Sequence, residues 1–399
     1  MTSDVSPKVG PLFIIVLGAS TAFLPLSLHI FFPALPSVKS DFATTEAIAN
    51  LTVSVPLFVM AFASLFYGAL SDRHGRRPVL LGSIVLFIAG SVCAAAADSI
   101  WLLVAGRVLQ SAGGGGGLGL ARVIARDIFG ADRLVKVMSY LTMAYALGPM
   151  ISTPLGGALV DFAGWRAVLV AAAVFGTVLG IVCWFVMFET HTKRAVAGVR
   201  FNPLADYVHL FSDLKFSAYV LQSGFSSGVF FTMAAASSFL MIDYLGLPAS
   251  EFGLYFICFP VGFITGTIIS SRLAGRVSVE TMVLGGSILM TVGALTQAGF
   301  LLAGIVSPLT IFVPGYFAIM AQGIALPNAQ SGAINVAGPL AGTGAGIGAF
   351  IQLLAAGVFT QIYGFTADGT PIPMAVTVSI SGILVLVVGM IPFLMRWGR

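Results

Sequence analysis

The chain has 399 residues, of which 58% are hydrophobic and 9% are charged, and its mean hydropathy is +1.02. Soluble domains carry about 25% charged residues, so this composition excludes a water-soluble globular protein and indicates an integral membrane protein. The 47 glycines and 32 phenylalanines suit close helix contacts and lipid-facing aromatics, and the alternating pattern of barrel strands does not occur.

Apolar windows of about 20 residues, long enough to cross about 30 Å of hydrocarbon, recur along the chain. In chain order, the first predicted spans cover residues 11–35, 47–70, 78–97, 100–124, 134–160 and 165–188. After a polar stretch, further spans cover residues 214–242, 251–271, 280–302, 308–328, 338–363 and 373–395. The sequence therefore predicts an all-α membrane protein with twelve transmembrane helices in two pseudo-symmetric six-helix halves. We assign 1–188 to the N-terminal half, 189–213 to a cytoplasmic linker and 214–399 to the C-terminal half.

The distribution of positive charge predicts the topology. All lysines and arginines except Lys39, Arg107 and Arg166 lie on the side that holds both termini. Because positive loops are retained in the cytoplasm, we expect both termini to be cytoplasmic. The net charge of +4 follows from this topology, and nucleic acid is not an expected partner. The turn RHGRRPVLLGSI also echoes RLAGRVSVETMVLGGSI in the second half, as in a secondary transporter built from two related halves.

The first span contains one ionisable residue, His29, within the apolar stretch FLPLSLHIFFPALP. An ionisable group at membrane depth is costly and is commonly functional. A histidine can exchange a proton near neutral pH, so His29 is a candidate for proton coupling or for substrate contact. The alternative is a neutral histidine that is hydrogen-bonded within the helix bundle and does not carry protons.

The turn between spans two and three, GALSDRHGRRP, is a candidate gating motif. Gly68 permits a close helix contact, and Gly75 permits a sharp reversal of the chain. Asp72 can cap the positive N-terminus of a neighbouring helix. The loop is held in the cytoplasm by its three arginines, Arg73, Arg76 and Arg77. The alternative is a loop that only anchors the orientation of the chain.

Span four carries the sequence GRVLQSAGGGGGLGLARVIARD. Arg107 is the one lysine or arginine clearly within a span, so we expect it to face the bundle interior or a wet cavity. Gln110 lies one turn further on and can share its polar surroundings. The run Gly113–Gly117 allows helix backbones to approach closely or to slide. The alternative is a packing seam beside an arginine that reaches toward the membrane surface.

Span five contains the stretch ALGPMISTPLGG. A proline within a helix removes a hydrogen bond and bends the helix, and neighbouring helices can compensate for this in a membrane. The residues of this candidate motif are Gly148, Pro149, Pro154, Gly156 and Gly157. A kink with a purely structural role is the alternative.

The remaining motifs of soluble enzymes are missing from the sequence. Cys93, Cys183 and Cys258 lie separately in apolar stretches, which implies neither a disulfide framework nor a metal site. The phosphate-binding pattern G-x-x-x-x-G-K-[ST] does not occur, so ATP is not the expected energy source. We therefore expect no cofactor, no metal and no catalytic residue.

The pattern Gly-x-x-x-Asp-Arg-x-Gly-Arg-Arg in GALSDRHGRRP resembles the signature loop of the major facilitator superfamily. In that family the loop gates the cytoplasmic side, and its acid docks near the start of span eleven, which here would open at Gly338-Pro339. The Gly-Pro stretch of span five resembles a motif of the exporters in this superfamily. The order and spacing of FPALPSV, SDRHGRRPVLLG, GRVLQ, ARVIARDIFG, ALPNAQ and GAGIGAFIQ resemble drug–proton antiporters of the bicyclomycin/chloramphenicol-resistance type.

The resemblance has consequences for the site. His29 stands where that subfamily usually has an acid, and no carboxylate is expected in the membrane core. This favours neutral or anionic substrates over cationic ones. His29 and Arg107 are the candidates for proton coupling. By resemblance, spans one, four, seven and ten line a central cavity. The candidate substrate contacts are His29, Gln110, Gln222, Phe225, Phe231, Met233, Tyr316 and Gln322.

The resemblance implies a monomeric, proton-driven exporter of small amphipathic compounds in the bacterial cytoplasmic membrane. The missing core carboxylate leaves open a facilitator or a proton-coupled importer of a small metabolite on the same fold. A membrane sensor or scaffold that transports nothing is a further alternative, although it would call for an appended soluble domain.

Overall fold

The computed structural model describes residues 10–129, 131–190 and 203–397, and these residues form no β-sheet. The helices of the first half are α1 (Pro11–His29), α2 (Leu35–Asp41), α3 (Glu46–His74), α4 (Arg76–Ala95), α5 (Ile100–Ile128), α6 (Ala131–Ala163) and α7 (Trp165–Val186). Those that follow are α8 (Pro203–Ser212), α9 (Leu214–Phe239), α10 (Ala249–Phe256), α11 (Cys258–Leu273), α12 (Val279–Leu302), α13 (Pro308–Ala337), α14 (Ala341–Thr366) and α15 (Ile372–Trp397).

Ten segments of the described chain are long and apolar enough to cross a membrane. One of them, Pro308–Thr366, contains both α13 and α14, and α5 with its polar residues is not among the ten. Counting α13 and α14 separately and adding α5 would give the twelve predicted spans. The helical membrane fold is therefore confirmed, while the count of twelve stays a prediction.

The helix ends follow local chemistry. Ser99 caps α5 by accepting a hydrogen bond from the Leu102 N–H, and Thr45 caps α3 in the same manner. Gly75 separates α3 from α4 with φ of 96°, a backbone conformation that side-chain-bearing residues rarely adopt. The reversal expected at Gly75 is therefore present.

The helices pack as two groups, α1 to α7 and α9 to α15, which meet along two seams. One seam joins α3 to α14, and the other joins α6 to α10 and α11. We call the end of the molecule that holds the turn at Gly75 the linker end. The opposite end, which holds the turn at Gly164, is the distal end.

The two halves are in contact at the distal end and diverge toward the linker end. Along the first seam, Ser54 donates to Gln361 at 2.6 Å, and a Cβ added at Gly357 would lie 2.6 Å from the Phe58 ring. At Gly68, near the linker end, no heavy atom lies within 4 Å of an added Cβ. The close helix contact expected at Gly68 is therefore missing from this conformation.

The predicted linker 189–213 lies partly outside the described residues. Its last part forms α8, which packs against α9 and α14. Leu210 is buried in a cluster with Phe216 and Tyr219, whereas Val208 is exposed. The helix therefore rests one apolar face on the second half.

Candidate functional site

A cavity of about 90 Å³ lies between the two halves. It is lined by α1, α6, α9, α11, α13 and α14, through His29, Tyr145, Ala146, Pro149, Ser227, Phe230, Phe231, Pro260, Phe263, Gln322, Leu326 and Gln352. The expectation that span four lines the cavity is not met, since α5 contributes no lining residue and α6 takes its place. A space of this volume holds a few water molecules.

His29 is buried at the end of α1, with 4% of its surface exposed. Its Nδ1 lies 2.6 Å from the carbonyl oxygen of Pro25. A carbonyl only accepts hydrogen bonds, so Nδ1 carries the proton and the neutral ring leaves a lone pair on Nε2. Nε2 is buried without a protein partner. The site therefore holds one unused acceptor that can bind a proton or accept a hydrogen bond from a ligand.

Phenylalanine rings surround the imidazole from both halves. The ring centroid of His29 lies 5.6 Å from that of Phe32, 5.7 Å from Phe230 and 5.9 Å from Phe231. Phe256, at the end of α10, is 6.2 Å away. These distances lie within the range of favourable aromatic pairs. The environment is apolar and adaptable, with polar groups at few points.

The position of His29 depends on the place where α1 ends. Thr153 of α6 donates its hydroxyl to the carbonyl oxygen of His29 at 3.3 Å. Ser238 of α9 donates to the carbonyl oxygen of Phe32 at 2.7 Å. Carbonyls at a helix end need such partners because they have none within the helix. Side chains of both halves therefore hold the backbone on either side of the imidazole.

The span-five motif lies against α1 and the second half. Pro149 lines the cavity, and a Cβ added at Gly148 would lie 3.0 Å from the Pro25 ring. A Cβ at Gly156 would meet the Ile30 backbone, with its carbonyl carbon at 2.9 Å. Small residues thus let α6 approach α1 where that helix ends.

The same helix contacts α10 nearer the distal end. A Cβ added at Gly157 would lie 2.8 Å from the Ala249 carbonyl carbon, and Pro154 packs on Gly253. Asp161 accepts hydrogen bonds from the N–H groups of Ala249 at 3.0 Å and Ser250 at 2.8 Å. A carboxylate at a helix N-terminus is favoured by the unpaired N–H groups there. One helix, α6, therefore touches both the cavity and the distal contact between the halves.

Arg107 is 1% exposed and faces the interior of the first half. Its guanidinium donates to the Thr52 carbonyl at 3.0 Å and to the Ser27 carbonyl at 3.3 Å, and also hydrogen-bonds the Gln110 side chain. It lies 4.4 Å above the ring of Phe31. Arg107 thus fastens α1 and α3 to α5, and neither Arg107 nor Gln110 lines the cavity.

The candidate gating motif forms a charged cluster at the linker end. Arg76 is buried and pairs with Asp72 at 2.6 Å and with Asp127 at 3.0 Å. Glu189 accepts hydrogen bonds from the backbone N–H groups of Arg76 at 2.9 Å and Arg77 at 3.3 Å. Asp72 is thus bound to its own loop here, and the docking expected at Gly338-Pro339 stays a prediction.

The other candidates lie in contacts within the second half. Gln222 donates to Ser287 at 3.3 Å, and the Phe225 ring lies 5.8 Å from that of Phe359. Met233 is fully buried in the core. Tyr316 donates to Thr265 at 3.3 Å. Of the predicted contacts, the structure brings together His29, Phe231 and Gln322 and places the others away from this cavity.

Several lining residues escaped the sequence analysis. Ser227 has a buried hydroxyl without a protein partner, and Tyr145 adds a phenol. A break at Ile257 separates α10 from α11 and leaves Phe256 beside His29. Pro260, in the first turn of α11, is the signal that could have indicated this break, since proline has no N–H with which to continue a helix from α10.

Relatives of known sequence support the resemblance. The family model described as Major Facilitator Superfamily matches residues 17–360. A bicyclomycin resistance protein homolog of Haemophilus influenzae is 27% identical over 272 residues, 68% of each chain. Multidrug resistance protein D of Escherichia coli is 27% identical over 366 residues, which cover 90% of this chain and 89% of that protein. The similarity to drug-resistance proteins is therefore confirmed at low identity.

The fold has solved counterparts. A crystal structure of a POT family transporter in complex with a thioalcohol-conjugated peptide matches with a TM-score of 0.79 and 13% identity, over 98% of each chain. This likeness concerns the fold alone. Together with the family match, it identifies a multi-pass membrane transporter of small molecules rather than an enzyme. The chain belongs to the major facilitator superfamily.

Proposed function

We propose that this transporter exports small amphipathic compounds in exchange for protons by alternating access. In this proposal, residues 1–188 and 214–399 act as the two moving halves and residues 189–213 join them. The protein works as a monomer in the bacterial inner membrane, with both termini in the cytoplasm. The linker end then faces the cytoplasm.

The observation that carries the proposal is the unpartnered Nε2 of His29 among phenylalanine rings. A proton that binds there adds a positive charge to an apolar cavity, which is costly in the absence of a counter-ion. The lining residues include no carboxylate. A bound substrate that covers Nε2 excludes water, so substrate and proton occupy the imidazole in turn. Exchange of one for the other follows from this competition.

The span-five motif supports the exporting direction. It resembles a motif of exporters, and its residues join the cavity to the distal contact between the halves. The names of the relatives, a bicyclomycin resistance homolog and a multidrug resistance protein, agree with drug efflux. Asp72 serves this cycle by capping the start of α14 when the linker end closes.

A facilitator or a proton-coupled importer of a small metabolite is the second candidate. The lack of a carboxylate among the lining residues favours it, because no fixed anion is present to draw a cationic drug. Counterflow of a labelled metabolite without a pH gradient would distinguish this candidate from an exporter.

The test is a drug-susceptibility panel in an efflux-deficient bacterium that expresses the wild type or His29→Ala at matched levels. We expect the wild type to raise the tolerated concentration of at least one amphipathic compound, because active export lowers the concentration of the compound in the cell. We expect His29→Ala to abolish the gain, since it removes the group that binds the proton.

The matched control is Tyr316→Phe, which removes a hydroxyl that bonds to Thr265 away from the cavity. It should behave as the wild type does. Everted vesicles should release protons from their interior when substrate is added, and vesicles with His29→Ala should not. If the wild type gave resistance to none of the compounds, the proposal of an exporter would be wrong. Counterflow of a labelled metabolite would then be measured.

A further inference from the structure

A charged cluster joins the two halves at the distal end, away from the cavity. Lys39 of α2 pairs with Asp243, which lies in a π-helical turn that follows α9. The Lys39 ammonium lies 3.6 Å from the Glu46 carboxylate at the start of α3. Tyr363 of α14 donates its hydroxyl to the same carboxylate at 3.0 Å. We call Lys39, Glu46, Asp243 and Tyr363 the distal lock.

The distal lock is unbalanced in charge and partly buried. It holds two carboxylates and one ammonium, and therefore carries one net negative charge when all three are ionised. The exposed fraction of the side chain is 10% for Glu46, 25% for Lys39 and 32% for Asp243. A net charge that is removed from water costs free energy unless it is paired. We call the meeting of the two halves at the distal end closure of the distal face. Closure removes the surplus charge from water and therefore costs free energy.

The surroundings do not neutralise this charge. Lys39 lies 5.5 Å from the centre of the Phe239 ring, which adds no charge of its own. Beyond Tyr363, in the turn that precedes α15, lies Asp368, whose pKa is held below its usual value by hydrogen bonds from Thr370. Asp368 stays ionised and adds a further negative charge nearby. These are the charged and titratable groups around Glu46 in the described residues.

We propose that the distal lock takes up one proton when the distal face closes and that Glu46 is the group that binds it. Asp243 holds the closer contact with Lys39 and is the more exposed of the two acids. Glu46 is the acid with the longer contact. When it is protonated, its carbonyl oxygen can still accept the hydrogen bond from Tyr363. The bridge between α3 and α14 therefore survives protonation while the surplus charge disappears.

This inference rests on the proposed function, in which the distal face opens and closes. After a compound is released at an open distal face, a proton from the outer solution binds Glu46 and favours closure. Acid outside the cell thus resets the transporter toward the cytoplasm. The distal lock controls the return of the empty transporter to the cytoplasmic side. His29 controls whether a substrate or a proton occupies the cavity.

The experiment measures closure of the distal face directly. Spin labels are placed on Asp98→Cys and Ile305→Cys, exposed distal-loop residues of the two halves, in the full chain in lipid nanodiscs. The native cysteines are replaced by serine. We expect the short-distance population to grow as the pH falls from about 8 to about 5. Since one proton is linked, the ratio of closed to open molecules should change by up to about tenfold per pH unit.

Three variants change the charge count of the lock in known ways. Glu46→Gln removes the surplus charge and should leave the ratio independent of pH, with the distal face closed. Asp243→Asn leaves one ammonium, Lys39, and one carboxylate, Glu46. It should also make the closed-to-open ratio independent of pH. Lys39→Met leaves two unpaired acids, so closure should take up two protons and the ratio should change by up to about a hundredfold per pH unit. The matched control is Glu251→Gln, which removes a carboxylate from the same end outside the lock and should keep the wild-type slope.

Three results would overturn the inference: a wild-type ratio that does not depend on pH, a distal face that opens as the pH falls, or a pH dependence that is lost in His29→Ala. The second would mean that ionised carboxylates hold the lock. If the closed-to-open ratio no longer changed with pH in His29→Ala, the linked proton would belong to the cavity and not to Glu46. The proposed function fails separately, since a wild type that gives no resistance can still show the pH-dependent distance.

Discussion

Alanine at Gly113 is expected to lower the thermal stability of the protein, whereas alanine at Gly119 on the same helix is expected to maintain or raise it. A Cβ atom at position 113 would lie 2.8 Å from the Phe87 Cα atom and closer still to the Ser83 carbonyl oxygen. At position 119, no heavy atom lies within 4 Å. The neighbours at 113 are backbone atoms of α4, which cannot rotate away as a side chain could.

The magnitude follows from two opposing effects. Each substitution gains about 1 kcal/mol of helix propensity. Overpacking typically costs about 1–3 kcal/mol, and the backbone neighbours of Gly113 place it at the upper end of that range. We expect a net loss of about 2 kcal/mol for Gly113→Ala, measured as a lower unfolding temperature of the purified protein in detergent. Equal shifts for the two variants would contradict the role of the glycine run as a seam.

Valine at Gly253 is expected to abolish transport in a protein that still folds. A Cβ atom there would lie 2.8 Å from the Pro154 Cα atom and 2.8 Å from the Thr153 carbonyl oxygen. These neighbours belong to the other half, so the clash acts on the contact between the halves and leaves each half intact. An overpacking cost of about 1–3 kcal/mol would shift the ratio of closed to open molecules by about 5- to 150-fold toward the open distal face.

The measurement combines drug accumulation in cells with the spin-label distance across the distal end. Gly253→Val should lengthen the distance, lose resistance and unfold at nearly the wild-type temperature. Gly299→Val is the control, since no heavy atom lies near a Cβ at that position on α12. Normal transport by Gly253→Val would show that the seam between α6 and α10 does not need to close.

Hydropathy and helix caps made the helices predictable from the sequence. The predicted starts at residues 100, 165 and 308 coincide with the observed starts of α5, α7 and α13. Ser99 and Ser307 cap two of these helices, and Gly164 with φ of 76° precedes the third. The helix α8 was less predictable, because an apolar face on a short helix is hidden in a stretch that is polar on average.

The orientation of each helix about its own axis was not predictable. On α9, Ser227, Phe230 and Phe231 share the face that lines the cavity, as residues three and four positions apart do. Gln222 and Phe225 lie elsewhere on that helix and contact α12 and α14. Polar and apolar residues are mixed around the whole circumference of α9, so its sequence does not reveal which face meets the cavity.

Partners that are distant in sequence were also hidden. Arg107 was expected to lie in an interior or wet environment, and two of its hydrogen bonds go to backbone carbonyl groups, which every residue possesses and no pattern distinguishes. Glu46 belongs to the first half and Tyr363 to the second, and each alone resembles an ordinary residue at a helix end. Only the fold brings such groups together.

The length of α6 has a consequence for leakage across the membrane. Its 33 residues form one helix of about 50 Å, which carries Pro149 at the cavity and Asp161 at the distal contact. In the proposed cycle, a tilt of α6 that carries Asp161 away from α10 at the distal end would carry the opposite end of the helix toward the second half at the linker end. Opening one end of the transporter and sealing the other would then be a single movement. A permeant ion would find no moment at which an open path joins both faces of the membrane.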